Sequence, residues 1–174
     1  MKKAAFGIFA MLLLAASPAL AGDATAILGV SATIANVCRV STSAVSFGGY
    51  DPIGANASAP LNASGAVSIA CTKGAATTVG LGSGANADGS ARRMRDGGSN
   101  LLTYELYKPP SVEPGAPCLY ESPAVWTNIS GGLLAPGAAP DRNARSYSIC
   151  GQVPGGQSLP PGGYADTILV TVNF

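Results

Sequence analysis

The sequence predicts an all-β protein folded as an immunoglobulin-like sandwich, and three observations support this. Apolar and polar residues alternate in about seven short stretches, which is the period of half-buried strands. Gly and Pro, with 23 and 13 of the 174 residues, stand between these stretches and indicate turns. Charged residues make up 11% of the chain, where about 25% is usual, and no amphipathic helix of more than a few turns follows the first segment.

The first 21 residues have the composition of a signal peptide. Lys2 and Lys3 precede an apolar run that is shorter than the roughly 20 residues needed to cross a membrane. Ala19, Leu20 and Ala21 form the small-x-small pattern of a cleavage site. We therefore expect residues 1–21 to be removed on export to a periplasm-like compartment, with no membrane insertion of the mature chain. Its eight basic and nine acidic residues predict no nucleic-acid partner.

The alternation places the strands in order along the mature chain. The first runs from residue 22 to 40, about twice the length of most strands, and has no hairpin partner beside it. Val45 and Phe47 alternate next. Further strands are predicted in AVSIACT from residue 66, TTVGLGSG from residue 77, LLTYELYKPP from residue 101, RSYSICGQV from residue 145 and YADTILVTVNF from residue 164. The strand from residue 101 is expected to stop at Pro109 and Pro110, with Leu102, Tyr104 and Leu106 facing inward. Residues 111–143 read mostly as loop, with short strands around CLY and AVWTNI.

Four cysteines lie in the mature chain, and in an exported protein an even number indicates disulfide bonds. Four cysteines allow three pairings. A bond between Cys38 and Cys71 would join the first two long strands, closing a loop of about 30 residues and contributing about 3–4 kcal/mol. Cys118 and Cys150 form the second pair by default. The chain has no CxxC and no His, so we expect no metal site.

The sequence offers no recognisable catalytic site. Without His, the Ser-His and Cys-His arrangements of nucleophilic enzymes are excluded. GSGANADG, from residue 82, lacks the Lys-Ser/Thr ending of a phosphate-binding loop. RRMR, residues 92–95, reads as a solvated strand edge rather than a basic patch. The acidic residues read as turn and surface residues rather than catalytic pairs: Asp51, Asp88, Asp96, Glu105 and Asp166. We therefore predict neither an enzyme nor a cofactor.

Five segments, in order, resemble the spore coat protein U domain family, which comprises archaic chaperone–usher pilin subunits. They are CRVSTSAVSFGGYDP, VSIACTKGAATTVGLGSG, ARRMRDGGSNLLTYELY, CGQVPGGQ and GGYADTILVTVNF. The most specific features are the spacing from Cys38 to FGGYDP, RRM, LTYELY and the C-terminal segment. The chain departs from the family at Trp126, which is followed by Thr127 rather than Gly, and in its additional Cys118 and Cys150.

The resemblance implies an incomplete immunoglobulin-like sandwich that lacks its last strand, with an apolar groove between its first and last strands. A periplasmic chaperone, and then the N-terminal extension of the next subunit, would fill the gap after exchange at an outer-membrane usher. The expected product is a surface pilus supporting adhesion and biofilm formation, with residues 22–32 as donor extension and residues 33–174 as pilin domain. The donor residues would be Ala24, Ala26, Leu28, Val30 and Ala32, and the C-terminal wall of the acceptor groove would comprise Ile168, Val170, Val172 and Phe174.

Two other classes of protein compete with this interpretation. A secreted binding module could recognise a surface or a sugar through the loop of residues 111–143, with Trp126 and Tyr120 stacking on the ligand. Burial of these aromatics in the core is the commoner arrangement. A secreted enzyme is the least favoured class, because no catalytic constellation is found.

Overall fold

The computed structural model describes residues 22–121 and 123–174, and the predicted signal peptide lies outside the described residues. Its contacts divide the chain into two compact units, with the boundary between Thr33 and Ile34. No helix that could cross a membrane is found in the described ranges. They contain eight strands: β1 (Cys38–Ser43), β2 (Leu61–Cys71), β3 (Ala76–Leu81), β4 (Arg92–Arg95), β5 (Leu101–Tyr107), β6 (Leu134–Ala138), β7 (Arg145–Val153) and β8 (Val170–Asn173).

The strands form two sheets in which all neighbours are antiparallel. The larger sheet has the order β1-β2-β7-β5-β4 and the smaller one β6-β3-β8. The smaller sheet ends at β8, the last strand of the chain, and no further described strand continues it. This is the incomplete immunoglobulin-like sandwich expected from the sequence.

The core lies between the two sheets and is built from alternate residues of their strands. Leu102, Tyr104 and Leu106 of β5 are each no more than 7% exposed, which confirms the predicted inward face. On β2, Val67 and Ile69 are fully buried. The remaining core members come from both sheets and from three connections between strands: Cys71, Ala75, Val79, Leu81, Trp126, Leu134, Ala139, Tyr147, Ile149 and Val153.

The first predicted strand is wrong in its extent. Residues 22–37 form no strand, and β1 begins only at Cys38. A strand requires a neighbour to pair with its backbone groups, and alternation alone does not supply one. Residues 44–50 also form no strand, although Val45 and Phe47 are half-buried while their neighbours are exposed.

The loop of residues 111–143 differs from the prediction in its strands. No strand forms around CLY, and in AVWTNI only Val125 forms an isolated bridge, with Tyr107. The strand of this region is β6, which contains Pro136 and Gly137 and therefore reads as a turn in the sequence.

Arg92 corrects the prediction that the RRMR segment is solvated. Its side chain is 2% exposed and forms an ion pair with Glu105. It also donates hydrogen bonds to the carbonyl oxygens of Gly82 (Nε, 3.0 Å) and Trp126 (Nη2, 2.6 Å). Trp126 in turn donates from Nε1 to the carbonyl oxygen of Val79 at 2.9 Å. Arg92 thus ties β4 to β5, to the end of β3 and to the long loop.

The structure contains both disulfide bonds, Cys38–Cys71 and Cys118–Cys150. Cys38 and Cys71 are opposite each other in the ladder between β1 and β2. The second bond fixes the long loop to β7. Nearby, the Ser148 hydroxyl donates to the carbonyl oxygen of Ala116 at 2.6 Å.

Candidate functional site: an open groove in the sandwich

A groove with a volume of about 1080 Å³ opens into the core of the sandwich. Residues 42–50, which include the end of β1, line one side, and residues 159–168 and Val170, which lead into β8, line the other. Its floor consists of core side chains from both sheets: Leu81, Leu102, Tyr104, Leu106, Ile149 and Val153. The hydrophobic core is therefore continuous with the surface of the groove.

Two glycines allow residues 43–47 to lie directly against the larger sheet. A Cβ atom at Gly65 of β2 would stand 2.6 Å from the carbonyl oxygen of Ser43. One at Gly151 of β7 would stand 2.6 Å from Val45 Cγ1 and 2.8 Å from Phe47 Cζ. The absence of side chains at these two positions makes room for the first wall of the groove, and the Phe47 ring then packs edge-on against Tyr104.

The second wall connects the two sheets. At its start, Ala165 and Arg95 of β4 exchange two backbone hydrogen bonds of 2.9 Å. Further along, Gly82 donates its N–H to the carbonyl oxygen of Leu169 at 2.9 Å, and β8 then pairs with β3. Ile168 and Val170 line the groove, while Leu169 is 74% exposed on the opposite face.

Both walls present backbone groups without a partner in the described chain. The carbonyl of Leu169 points toward β3. Because the backbone N–H and C=O groups of successive residues in a strand point to opposite sides, those of Ile168, Val170 and Val172 point away from β3, to the free edge of β8. Across the groove, no hydrogen bond between two described backbone groups involves residues 44–50. The groove is therefore flanked by two edges that can each accept a further strand.

A polar cluster fixes the second wall to the larger sheet. Asp166 lines the groove, and its Oδ2 accepts a 2.7 Å hydrogen bond from the Tyr104 hydroxyl. Its Oδ1 accepts from the backbone N–H and Nδ2 of Asn86 at 3.1 and 3.0 Å. Burial, reinforced by the Asp166 carboxylate, raises the pKa of Tyr104, so its hydroxyl stays protonated and remains a donor at neutral pH.

The described N-terminal residues 22–33 contain no regular structure, and all of them are exposed. Three large apolar side chains, Ile27, Leu28 and Val30, are 101%, 87% and 88% exposed. Leu28 and Val30 share one face of the alternation with Ala24, Ala26 and Ala32, whereas Ile27 lies on the other face with Thr25. Contiguous apolar surface that is left unburied in this way marks an interaction site more often than an inert surface.

The residues predicted for the groove wall do not all lie in it. Ile168 and Val170 line the groove, and Val172 packs against the core. Phe174 is 54% exposed and lines a smaller hollow of about 520 Å³ beside Asn173 and Thr78. The groove was expected between the first and last strands, and its opposite wall is formed by residues 42–50, which are the end of β1 and the segment that follows it.

The structure buries one of the two aromatic side chains on which the binding-module hypothesis depends. Trp126 is fully buried, so its ring cannot stack on a ligand. Tyr120 is half-buried, and its hydroxyl donates to the carbonyl oxygen of Ala63 at 2.9 Å. The described residues contain no group of three or more His, Cys, Asp or Glu side chains placed to hold a metal ion.

Known proteins resemble this chain in sequence and in fold. Protein U of Myxococcus xanthus is 34% identical over 176 aligned residues, which cover 93% of this chain and 91% of that protein. Among solved structures, the complex of a chaperone (CsuC) and a tip adhesion subunit (CsuE) from the archaic chaperone–usher Csu pili of Acinetobacter baumannii contains a chain with a similar fold. The TM-score is 0.56 at 20% identity, and the match covers 82% of this chain but only 41% of that chain.

The family comparison covers most of the sequence. The model of the spore coat protein U domain matches residues 24–171, a range that includes most of the N-terminal extension and nearly all of the sandwich. The resemblance noted in the sequence is thereby confirmed, and the chain belongs to the spore coat protein U domain family.

Proposed function

We propose that this protein is a structural subunit of a surface pilus that assembles by donor-strand exchange. Residues 22–32 of one copy occupy the groove of the next copy as its missing strand. The observation that supports this most strongly is the groove itself, which opens into the core and is flanked by two edges with free backbone groups.

The extension has the chemistry that such a groove requires. Leu28 and Val30 are exposed apolar side chains at alternate positions, which would share one face of a strand, and burying each is worth about 1.5–3 kcal/mol. The extension's backbone would pair with β8 on one side and residues 44–50 on the other, so hydrogen bonds provide affinity while side chains fix the register. Because neighbouring strands of this fold are antiparallel, the extension would run opposite to β8.

The partners follow from the same surface. A subunit with an open core exposes apolar side chains and an unpaired edge, so it requires a protective partner before assembly. We infer a periplasmic chaperone for this role, as in the solved chaperone–subunit complex, and an outer-membrane usher for assembly. The resulting fibre of identical or related subunits would support adhesion and biofilm formation at the cell surface.

Deletion of residues 22–33 tests this proposal. Fibres of the complete chain should give SDS-resistant ladders when loaded without heating. The deleted chain should give none, yet should still co-purify with its chaperone as a folded monomer with both disulfides formed. If the complete chain is a monomer whose behaviour is unchanged by the deletion, the pilus proposal is wrong.

A further inference from the structure

The connection between the N-terminal extension and the sandwich depends on an unusually exposed strand. The extension continues into β1, an edge strand whose only described neighbour is β2. Five of the six β1 residues are exposed, and only Cys38 is half-buried. Side-chain packing therefore contributes little to holding β1 on the sheet.

The Cys38–Cys71 disulfide lies at the point where this edge strand begins. Cys38 and Cys71 are the first cross-strand pair of the ladder between β1 and β2. Beside them, Thr72 donates its N–H to the carbonyl oxygen of Val37 at 2.9 Å, and Val37 donates its N–H to Thr72 Oγ1 at 3.1 Å. Val37 and Cys38, where the extension joins the sandwich, are thus bonded to Cys71 and Thr72 at the end of β2.

A short path leads from Cys71 to the groove. Cys71 is 3% exposed and ends β2, and a turn of four residues joins it to β3. β3 pairs directly with β8, whose free edge forms part of the groove wall. A single covalent bond therefore connects the base of the extension to the strands that would hold a neighbour's extension.

We propose that the Cys38–Cys71 disulfide transmits tension between successive subunits of the fibre, an inference that depends on the proposed function. When the fibre is pulled, force enters a subunit through its own extension and leaves through the extension held in its groove. Without the bond, this force would act on the β1–β2 ladder, whose hydrogen bonds are individually weak and can break one after another. With the bond, force bypasses β1 and reaches the buried strands β2 and β3.

The second disulfide provides a matched control. Cys118–Cys150 closes a loop of nearly the same length, with a sequence separation of 32 against 33 for Cys38–Cys71. The two bonds should therefore restrict the unfolded chain to a similar degree. Cys118–Cys150, however, fixes a covering loop to the middle of β7, outside the path from β1 to β8. Loss of thermal stability and loss of mechanical resistance can thereby be separated.

The test compares fibres of the full chain with two double variants, Cys38→Ser/Cys71→Ser and Cys118→Ser/Cys150→Ser. Single fibres are stretched, and thermal melting is measured in parallel. Both variants should lower the melting temperature by similar amounts. Only Cys38→Ser/Cys71→Ser should lower the unfolding force, by about half or more, because hydrogen bonds alone then carry it. Equal forces in the two variants, or an unchanged force in Cys38→Ser/Cys71→Ser, would overturn the inference.

A second measurement applies if Cys38→Ser/Cys71→Ser is not assembled. Fibres of Cys118→Ser/Cys150→Ser, which retain only the first bond, are held at constant force while a thiol reductant is added. Cleavage under tension should lengthen each subunit by about 110 Å, the extended length of the 33-residue separation. If reduction adds no extension, the bond does not carry tension. Failure of the wild-type chain to form fibres would instead count against the proposed function.

Discussion

The smaller sheet has two edge strands, β6 and β8, which differ in their protection against further pairing. β6 contains Pro136, which lacks an N–H, and Gly137 at a φ of 76°, and its register with β3 shifts between Thr77 and Val79. β8 contains neither Pro nor Gly. Proline, glycine and shifts of register are features by which natural proteins prevent further strands from pairing with an exposed edge. β6 is therefore closed to strand addition, while β8 is left open where it borders the groove.

The larger sheet repeats this contrast at its two ends. The edge strand β4 is only four residues long, carries the charged Arg93 and Arg95, and is bridged by Ala165. At the other end, β1 leads into residues 44–50, whose backbone groups are unpaired within the described chain. In both sheets an unprotected edge flanks the groove, which is where the proposed function requires a strand to be added.

Closing the β8 edge should have the largest effect. Val170→Pro removes an N–H that faces the free edge rather than β3. The variant β8 then contains a proline without a backbone donor, as β6 does at Pro136. We expect loss of SDS-resistant ladders and of chaperone binding, with both disulfides still formed after refolding, as measured by mass spectrometry. Pro136→Val is the control on the protected strand and should leave ladders unchanged. Normal ladders from Val170→Pro would show that the β8 edge is not used.

A charge on the inward face of the extension should have the next largest effect. Leu28→Asp would bury an unpaired carboxylate in the groove, which costs several kcal/mol. Assembly should fail while chaperone binding persists, because the subunit's own groove is unchanged. Ile27→Asp places the same charge one residue away on the other face and should still assemble. If both variants fail equally, or Leu28→Asp also loses the chaperone, the assignment of the donor face is wrong.

Adding a side chain at Gly151, beneath residues 44–50, should weaken binding of the incoming strand without abolishing it. In Gly151→Ala the new Cβ would meet Val45 and Phe47 at less than 3 Å, displacing residues 44–50 at a cost of about 1–3 kcal/mol. We expect SDS-resistant ladders to dissociate at lower temperature. Gly97→Ala, where a Cβ meets no atom within 4 Å, is the control. Identical dissociation temperatures would mean that this wall does not contact the incoming strand.

Tyr104→Phe should have the smallest effect, since it removes one hydrogen bond to Asp166 and keeps the buried ring. A hydrogen bond to a charged group contributes about 1.5–3 kcal/mol. The midpoint of urea unfolding of assembled subunits should fall accordingly. Tyr164→Phe, whose hydroxyl donates to the carbonyl oxygen of Pro160, removes an exposed bond and should matter less. Equal shifts for the two variants would argue against a specific role for the Tyr104–Asp166 pair.

The sequence predicted the central strands well, because apolar residues alternate along each of them and each pairs with a neighbouring strand on both sides. β7 was predicted with its observed bounds, and the inward face of β5 was predicted correctly. Predictions failed where a partner decides the structure. Residues 22–37 alternate but have no strand beside them, and β6 forms despite Pro136 and Gly137 because it pairs with β3.

The groove was predicted only in part, for a related reason. The alternation from Ile168 to Val172 is local and could be read directly. The opposite wall depends on the approach of residues 43–47 to Gly65 and Gly151, which are distant in sequence. The burial of Arg92 likewise depends on acceptors at the end of β3, on β5 and in the long loop, so no local pattern distinguished it from Arg93 and Arg95.

Photo-crosslinking from the extension tests the central claim most directly. A benzophenone side chain at position 28 is activated in assembled fibres, and mass spectrometry then identifies the attached peptides. We predict crosslinks to residues 42–50, 102–106 and 168–170 of a different copy, the segments that line the groove. The same probe at position 27 should not reach the groove floor. Crosslinks from position 28 that fall within its own copy, or outside the groove of its neighbour, would contradict the account.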